Sequence, residues 1–229
     1  MKKFFIENLK TLLYALVIAI FIRSIFIQPF YIPSSSMEPN LLVGDRLFVT
    51  KFSYGYSKHS FPFSPPIFNG RIIFTKPKRG DVIVFKTPSD NRTDYIKRLI
   101  GLPGDIIQFI EGDLYINNNQ VLKTLKSNTD YQYCGNVKIN VNTYEEKLPN
   151  GKKYIASYRK DRTYLNSDKF EVPEKHLFFL GDNRDCSKDS RFLSEVGYVH
   201  NDNLVGKAQI LFFSSNPKIG SIFKFWKWN

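Results

Sequence analysis

The sequence predicts a mainly β domain that follows one N-terminal membrane-spanning helix. Two patterns lead to this fold class: an apolar segment close to the N-terminus, and short runs rich in Ile, Val and Phe after residue 40. Long segments with the 3.6-residue period of amphipathic helices are absent from the second part. The chain has 229 residues, of which 42% are hydrophobic, which is enough for one moderate domain with a real core and an anchor.

The apolar segment is long enough to cross a bilayer. Leu9 to Ile27 comprise 19 residues, and a helix of that length spans about 28 Å, close to the thickness of a hydrocarbon core. Lys2 and Lys3 precede it and Lys10 lies at its start, so the positive-inside rule places the N-terminus in the cytoplasm. We therefore predict residues 1–8 in the cytoplasm, an anchor over 9–30, and a domain over 31–229 in the periplasm or its equivalent.

A cleaved signal peptide is the alternative interpretation of this N-terminus. No small-x-small cleavage motif follows the apolar run, which continues with bulky and aromatic residues, so an uncleaved anchor is favoured. Arg23 interrupts the segment, and its side chain must reach an interface to avoid the cost of a charge in lipid. Pro29 and Pro33 are predicted to end the helix.

The sequence after residue 40 predicts strands that are separated by turn residues. We predict strands in six segments, namely DRLFVTKF (45–52), RIIFT (71–75), DVIVFK (81–86), DIIQFIEGDLYIN (105–117), HLFFLGD (176–182) and KAQILFF (207–213). A hairpin turn is predicted at Asn117–Asn119. These strands favour a partly closed barrel or stacked sheets, with a polar, hairpin-bearing excursion over 123–170 outside the core. The proline-rich segment 61–68 is predicted to be a packed loop or a rim that dips into the bilayer surface.

The charge and the cysteines exclude some functions and leave others open. The net charge is +12, but the basic residues are scattered and no run of five occurs, so nucleic-acid binding is disfavoured and an anionic membrane surface fits better. The aromatic and basic C-terminal segment 222–229 is a second candidate for the lipid interface.

Cys134 and Cys186 belong to no C-x-x-C motif and the three histidines lack ligand spacing, which disfavours zinc. A disulfide between the two cysteines is allowed, and the sequence leaves it open.

Four stretches carry residues suited to catalysis: PSSSMEPNLLVGD (33–45), KRGDVIVFK (78–86), YIKRLIGLPGD (95–105) and GDNRDCSKDSR (181–191). Serines in a loop are commonly turn formers. In the third stretch, however, strand alternation points Tyr95 and Lys97 to one face, and burial of that face would lower the pKa of the Lys97 amine enough for it to act as a base. A Ser–Lys pair then supplies nucleophile and base without histidine. The carboxylates of 181–191 alternate with basic residues and lack calcium-loop spacing, which favours a salt-bridged turn.

These stretches resemble, in order and spacing, the conserved boxes of bacterial type I signal peptidases. The box Ser34-Ser35-Ser36-Met37-Glu38-Pro39 is similar to the one that holds the nucleophile of that family. The resemblance implies a signal-peptidase-like β-barrel or sheet domain that removes signal peptides from exported preproteins after small-x-small motifs. It implies preproteins and membrane phospholipid as partners, a position in the inner membrane, and neither a metal nor a cofactor.

The resemblance also assigns roles to individual residues. Ser36 would be the nucleophile and Lys97 the general base, Ser34 would donate to the oxyanion hole, and Ser187 would orient the Lys97 amine by a hydrogen bond. Gly181, Asp182, Asn183 and Arg184 would shape a supporting turn, and Asp189 and Arg191 would form an ion pair in it. The positions expected to line the pockets for small substrate side chains are Phe30, Ile32, Leu41, Tyr95 and Ile96.

The sequence departs from the family pattern at two positions, where Asn40 replaces the usual Thr and Cys186 replaces a common Asn. Two other functions compete with the signal peptidase. One is a soluble Ser–Lys autoprotease like the SOS-response repressors, which the membrane segment argues against. The other is an anchored, non-catalytic β-domain that binds exported proteins, which the presence of Ser36, Lys97 and Ser187 argues against.

Overall fold

One long helix precedes a domain of antiparallel strands in the computed structural model, which describes residues 1–161, 164–214, 226 and 227. The predicted fold class, mainly β behind one N-terminal helix, is confirmed. Four short 3-10 helices lie in the loops (Ser35–Met37, Lys58–Ser60, Arg184–Cys186 and Asn201–Asn203). The remaining elements are α1 (Lys2–Ile25), β1 (Ile27–Tyr31), β2 (Arg46–Thr50), β3 (Val82–Lys86), β4 (Asp94–Gly101), β5 (Ile106–Ile110), β6 (Asp113–Ile116), β7 (Asn119–Gln120), β8 (Leu122–Cys134), β9 (Val137–Lys147), β10 (Lys153–Arg159), β11 (Phe170–Glu171), β12 (His176–Leu180), β13 (Val199–His200), β14 (Leu204–Phe213) and β15 (Trp226–Lys227).

Helix α1 is long and apolar enough over Lys3–Ile25 to cross a membrane, and its most apolar 18-residue window is not buried by the domain. Only its C-terminal end contacts the domain within the described residues, where Ser24 is buried and the Tyr56 hydroxyl donates to the Ile25 carbonyl. The helix ends at Ile25, earlier than the prolines predicted, because residues 27–31 pair with β2 as an edge strand. The last five residues of the predicted anchor, 26–30, therefore lie beyond the helix. Arg23 lies in the last helical turn, where its side chain can reach a membrane interface.

Three sheets make up the domain. The largest has the order β1-β2-β14-β3-β4-β12-β13 with β15 beside β14, the second is β10-β9-β8, and the third is β11-β5-β6-β7. The hairpin turn at Asn117–Asn119 is confirmed, since Asn117 and Asn118 have the positive φ angles of a two-residue turn. The predicted strand at 71–75 is wrong. Only Ile72 makes a β-bridge there, and the Arg71 guanidinium donates to the carbonyls of Gly55, Asn201 and Leu204, which holds the segment as a loop.

The excursion over 123–170 carries the predicted hairpin, β8–β9, followed by β10. The prediction that it lies outside the core is wrong, because Leu148, Tyr154, Ala156 and Tyr158 are buried in one apolar cluster with Ile100 and Phe178 of the largest sheet. Segment 61–68 is a loop as predicted, and Phe63 in it is fully exposed. Most of the C-terminal segment 222–229 lies outside the described residues.

Two further apolar clusters lie on either side of β3 and β4. One contains Met37, Leu41, Val84, Val205 and their neighbours, and Phe30 and Ile96 pack against it. The other is built around Phe85 and Phe179, whose rings stack with centroids 4.6 Å apart. Alternation along β4 therefore sends successive side chains into different clusters, which fixes the direction of the Lys97 side chain.

A disulfide joins Cys134, at the end of β8, to Cys186 in the 181–191 turn. The bridge resolves the pairing that the sequence left open. It closes a loop with a sequence separation of 52 residues, and thereby ties the β8–β9 hairpin to the turn that carries Ser187. In the chain-entropy model a loop of this length restricts the unfolded chain strongly.

Replacing both cysteines by serine is expected to lower the free energy of unfolding by about 4 kcal/mol, because the cross-link restricts the unfolded chain. Urea unfolding of the full chain in detergent, with and without dithiothreitol, measures this difference. The double variant should be insensitive to the reductant and should match the reduced wild type. Equal stability of the oxidised and reduced wild type would contradict the prediction.

Candidate active site

Ser36 lies in a short 3-10 helix, Ser35–Met37, in the loop that follows β1. Met37 is completely buried in the apolar cluster beside β3 and β4, and this burial fixes the position of the loop. The turn at 181–191 fastens the same loop from the other side. The Asn183 backbone N–H donates to the Ser36 carbonyl at 3.1 Å, and the Asn183 amide donates to the Ser35 carbonyl at 3.2 Å.

Lys97 lies in the middle of β4, opposite Ile83 of β3. Its side chain is 4% exposed, and its ammonium group lies 5.2 Å from the centroid of the Tyr95 ring. Tyr95 and Lys97 thus share one face of the strand, as the alternation predicted. The Lys97 Nζ also donates to the Ile96 carbonyl at 3.0 Å, which restricts the amine to one region of the site.

The Lys97 amine and the Ser36 hydroxyl are in direct contact. Lys97 Nζ donates to Ser36 Oγ at 2.7 Å, across 61 residues of sequence. Burial lowers the pKa of Lys97 from 10.5 to about 8, although the carboxylates of Asp189 and Asp182 act in the opposite direction. The desolvation of the ammonium form outweighs the attraction of the two carboxylates, so a useful fraction of the amine is neutral near neutral pH. A neutral amine in this position can accept the hydroxyl proton.

Ser34, the expected oxyanion donor, has its hydroxyl 3.3 Å from the Ser36 hydroxyl. Ser34 is exposed while Ser36 is buried. The Ser34 hydroxyl is therefore the part of this pair that faces solvent. A group that reaches Ser36 from solvent would come within range of both hydroxyls.

Ser187 does not make the hydrogen bond to Lys97 that the resemblance implied. Its hydroxyl is buried and has no such contact with the amine. The hydroxyl lies against the Gly181 backbone, 2.2 Å from where a Cβ of Gly181 would be, and it contributes to the lowered pKa of Asp189. Ser187 thus packs against the Gly181 backbone in this structure and makes no hydrogen bond to the Lys97 amine. A side chain at position 181 would also meet the Ser36 carbonyl at 2.5 Å, which explains why glycine is needed there.

Asp182 forms an ion pair with Arg98, the residue that follows Lys97 in β4. Its carboxylate accepts two hydrogen bonds from Arg98, from Nε at 2.7 Å and from Nη2 at 2.6 Å, and both side chains are buried. The Asn40 amide donates to the same carboxylate at 2.7 Å. Asp182 therefore links β4 to the nucleophile loop. The sequence analysis assigned no role to Arg98 or Asn40, although both lie in the quoted stretches.

Arg184 is buried in a second ion pair, with Glu146 of β9. The Arg184 Nη2 lies 2.7 Å from the Glu146 carboxylate, and each side chain is 1% exposed. Tyr154 and Tyr158 of β10 donate to the same carboxylate, and their hydroxyls also accept from Arg184. These three partners were missed by the sequence analysis, because they lie in the segment predicted to be outside the core.

Asp189 and Arg191 form the ion pair that the resemblance implied, with Arg191 Nε 2.8 Å from the carboxylate. Burial alone would raise the pKa of Asp189, but Arg191, the Gly181 N–H and Ser187 outweigh it and lower that pKa. Arg191 also donates to the Arg184 carbonyl, which closes the turn. Among the described residues, no group of three or more His, Cys, Asp or Glu side chains is placed to hold a metal ion.

Four of the five predicted pocket residues belong to one apolar cluster beside Ser36, and Tyr95 packs on the cluster of Phe85. Ile32 and Leu41 are 1% exposed, so they form the floor of this surface. Phe30, Tyr95 and Ile96 are half-buried and are the members that an incoming peptide can touch. Their role in binding substrate remains a prediction.

A serine hydroxyl held on a buried, partly neutral lysine amine defines a hydrolase of the Ser–Lys class by its chemistry. The sequence matches the family described as signal peptidase, peptidase S26, over residues 5–213. The chain therefore belongs to this family, and the resemblance on which the sequence analysis relied is confirmed.

Relatives of established name are similar over most of the chain. Signal peptidase I of Rickettsia typhi is 43% identical over 213 residues, covering 88% of this chain and 78% of the relative. Signal peptidase I of Rickettsia canadensis is 42% identical over 219 residues, covering 91% and 80%. The crystal structure of a signal peptidase I from Enterococcus faecalis matches with 27% identity and a TM-score of 0.34, over 58% of this chain and 97% of that one.

Replacing Glu146 by Gln is expected to lower the free energy of unfolding by about 3–5 kcal/mol, because the Arg184 guanidinium would stay buried without its counterion. Denaturant unfolding of the full chain measures the effect. The matched control is Glu145→Gln, since Glu145 is the neighbouring residue and its pairs with Lys126 and Lys153 are at the surface. We expect no measurable change in the control. Equal destabilisation by the two variants would contradict a special role for Glu146.

Activity is expected to rise with pH through the pKa of Lys97, about 8. Only the neutral amine can take the Ser36 proton, so the rate should fall about tenfold for each pH unit below that pKa and level off above it. Replacing Asp189 by Asn removes a carboxylate that raises the pKa of Lys97, and the acid limb should therefore move to lower pH. Single-turnover cleavage across the pH range, with circular dichroism to check folding, measures both. A limb that does not move, or moves upward, would argue against Lys97 as the titrating group.

Proposed function

We propose that this chain is a membrane-anchored signal peptidase I that uses Ser36 as nucleophile and Lys97 as general base. The observation that carries the proposal is the 2.7 Å contact between the buried amine and the serine hydroxyl, in a chain that belongs to the signal peptidase family. The substrates are exported preproteins, which the enzyme cuts after small-x-small motifs.

The chemistry follows from the positions of three groups. Neutral Lys97 takes the proton of Ser36 as the serine oxygen attacks the scissile carbonyl, and the resulting ammonium later protonates the leaving amine. The exposed hydroxyl of Ser34 donates to the oxyanion that forms, together with the Ser36 backbone N–H. Hydrolysis of the acyl-enzyme then repeats the transfer, with water in place of Ser36. The Asp182–Arg98 and Asp189–Arg191 pairs keep the amine in place without touching the substrate.

The open edges of two strands suggest how a preprotein binds. Within the described residues, β1 pairs only with β2, and β12 pairs with β4 only from Arg98 onward, so residues 94–97 have one neighbouring strand. An extended peptide can add to such an edge by main-chain hydrogen bonds. Phe30 and Ile96, whose side chains are half-buried in the apolar cluster that contains Met37, present a shallow apolar surface beside Ser36. This geometry supports the selection of small residues before the cleavage site.

The position in the cell follows from helix α1. Lys2, Lys3 and Lys10 at its start favour a cytoplasmic N-terminus, so the domain that contains Ser36 lies on the outer face of the inner membrane. Ser36 follows the helix end by only about a dozen residues. The scissile bond is therefore met close to the membrane surface, where membrane phospholipid contacts the enzyme.

The test is cleavage of a purified preprotein, with Ala at the two small positions, by the full chain in detergent. We expect Ser36→Ala and Lys97→Met to lose activity by a factor of about 10⁴ or more, while Ser35→Ala serves as the matched control and keeps it. Undiminished cutting by either catalytic variant would rule out the dyad. Inhibition by a chelator would point to a metal mechanism instead, and an intact wild-type fold without cleavage would favour the non-catalytic binding domain.

A further inference from the structure

A cavity of about 480 Å³ lies at the junction of helix α1 and the β-domain, away from Ser36 and Lys97. Its walls come from five parts of the chain: Arg23 of α1, Gln28 of β1, the turn between β3 and β4 with its flanking residues, the loop that contains His59 and Phe63, and Val205 of β14. The volume is within the range of cavities that hold small ligands. None of the roles proposed above for the catalytic residues uses this cavity.

Two of the three Lys and Arg side chains that line the cavity have no carboxylate partner within the described residues. Lys86 pairs with Asp94 at 3.0 Å, and its Nζ also donates to the Arg92 carbonyl at 2.6 Å. Asp94 is the only carboxylate among the lining residues, and it is engaged in that pair. Within the described ranges, the guanidinium groups of Arg23 and Arg92 have no carboxylate partner. An anion would therefore find two arginines that remain available.

His59, which also lines the cavity, adds no positive charge to it. Burial, together with the nearby charges of Lys58, Lys86 and Arg71, lowers the pKa of His59 to about 4. His59 is thus neutral at physiological pH and leaves its ring, which is hydrogen-bonded to Ser64, as a polar wall. The cationic side chains in the wall of the cavity are therefore Arg23, Lys86 and Arg92.

Two features indicate that an anion bound in this cavity would also carry an apolar part. Arg23 lies in the last turn of the helix that is long and apolar enough to cross a membrane, so the cavity opens at the boundary between lipid and water. An arginine at that depth is costly unless an anion or water reaches it. Phe61, Pro62 and the fully exposed Phe63 line the same cavity and offer an apolar surface beside the two arginines.

We propose that this cavity is a binding site for the headgroup of an anionic phospholipid of the outer leaflet. The lipid phosphodiester lies between the guanidiniums of Arg23 and Arg92, and its acyl chains run along α1 and the 61–63 segment. Arginine is suited to this ligand because its planar guanidinium can donate two hydrogen bonds to one phosphate. The site rests on the membrane anchoring under the proposed function, but not on the Ser–Lys chemistry.

Native mass spectrometry of the full chain in maltoside micelles tests the site, with dioleoyl phosphatidylglycerol or dioleoyl phosphatidylcholine added in equal amounts. We expect the wild type to retain one phosphatidylglycerol in preference to phosphatidylcholine. Arg92→Gln and Arg23→Gln should each bind it about fivefold more weakly. Lys169→Gln, which removes one exposed positive charge far from the cavity, is the matched control and should bind as the wild type does.

Three results would overturn the proposal: equal retention of the two lipids, equal weakening by the Lys169 control, or displacement of the lipid by excess inorganic phosphate, which would make the ligand a free anion. Arg92→Gln keeps the test meaningful if Arg23→Gln fails to insert, because Arg92 lies in the turn between β3 and β4. Binding is read without any cleavage assay. A failure here therefore leaves the proposed peptidase untouched, and loss of activity in Ser36→Ala should leave lipid retention unchanged.

Discussion

The burial of one amine is the constraint on which the rest of the domain depends. Lys97 is useful as a base only if water is kept away from it, and yet it must stay within reach of the Ser36 hydroxyl. The strand β4 meets the first condition by placing the side chain on the same face as Tyr95 and Leu99, where it is buried. The second condition requires that the loop with Ser36, 61 residues away in the sequence, be held in a fixed position relative to that strand.

Buried ion pairs hold the loop in this position. Asp182 connects Arg98 of β4 to Asn40 of the nucleophile loop, and Glu146 connects Arg184 to β9 and β10. Such pairs contribute little net stability, because the desolvation of each charge offsets most of the attraction. Their value here is geometric. A shift of the 181–191 turn would leave several charges unpaired at once, so intermediate positions of the turn are strongly disfavoured.

Sequence patterns predicted the fold class and the central pair of the site, but they did not predict the surrounding contacts. The apolar run and the alternation of Tyr95 and Lys97 follow from local periods of the chain, which a sequence displays directly. Glu146 and Tyr154 look like surface residues of a polar segment, and only the packing of β9 and β10 against the turn buries them. Likewise, the apolar residues of RIIFT predicted a strand at 71–75. The Arg71 side chain instead donates to carbonyls of other loops, and the segment is a loop. Ser187 shows the limit of a resemblance, since its buried hydroxyl makes no hydrogen bond to Lys97.

The bridge between Cys134 and Cys186 has a consequence for how the domain matures. The 229 residues contain two cysteines, so one intramolecular pairing exists and no wrong isomer can form within a single chain. Formation of this bridge then requires an oxidant but no shuffling of disulfides. The competing reaction is pairing between two chains, which depends on concentration and not on the order in which the strands fold.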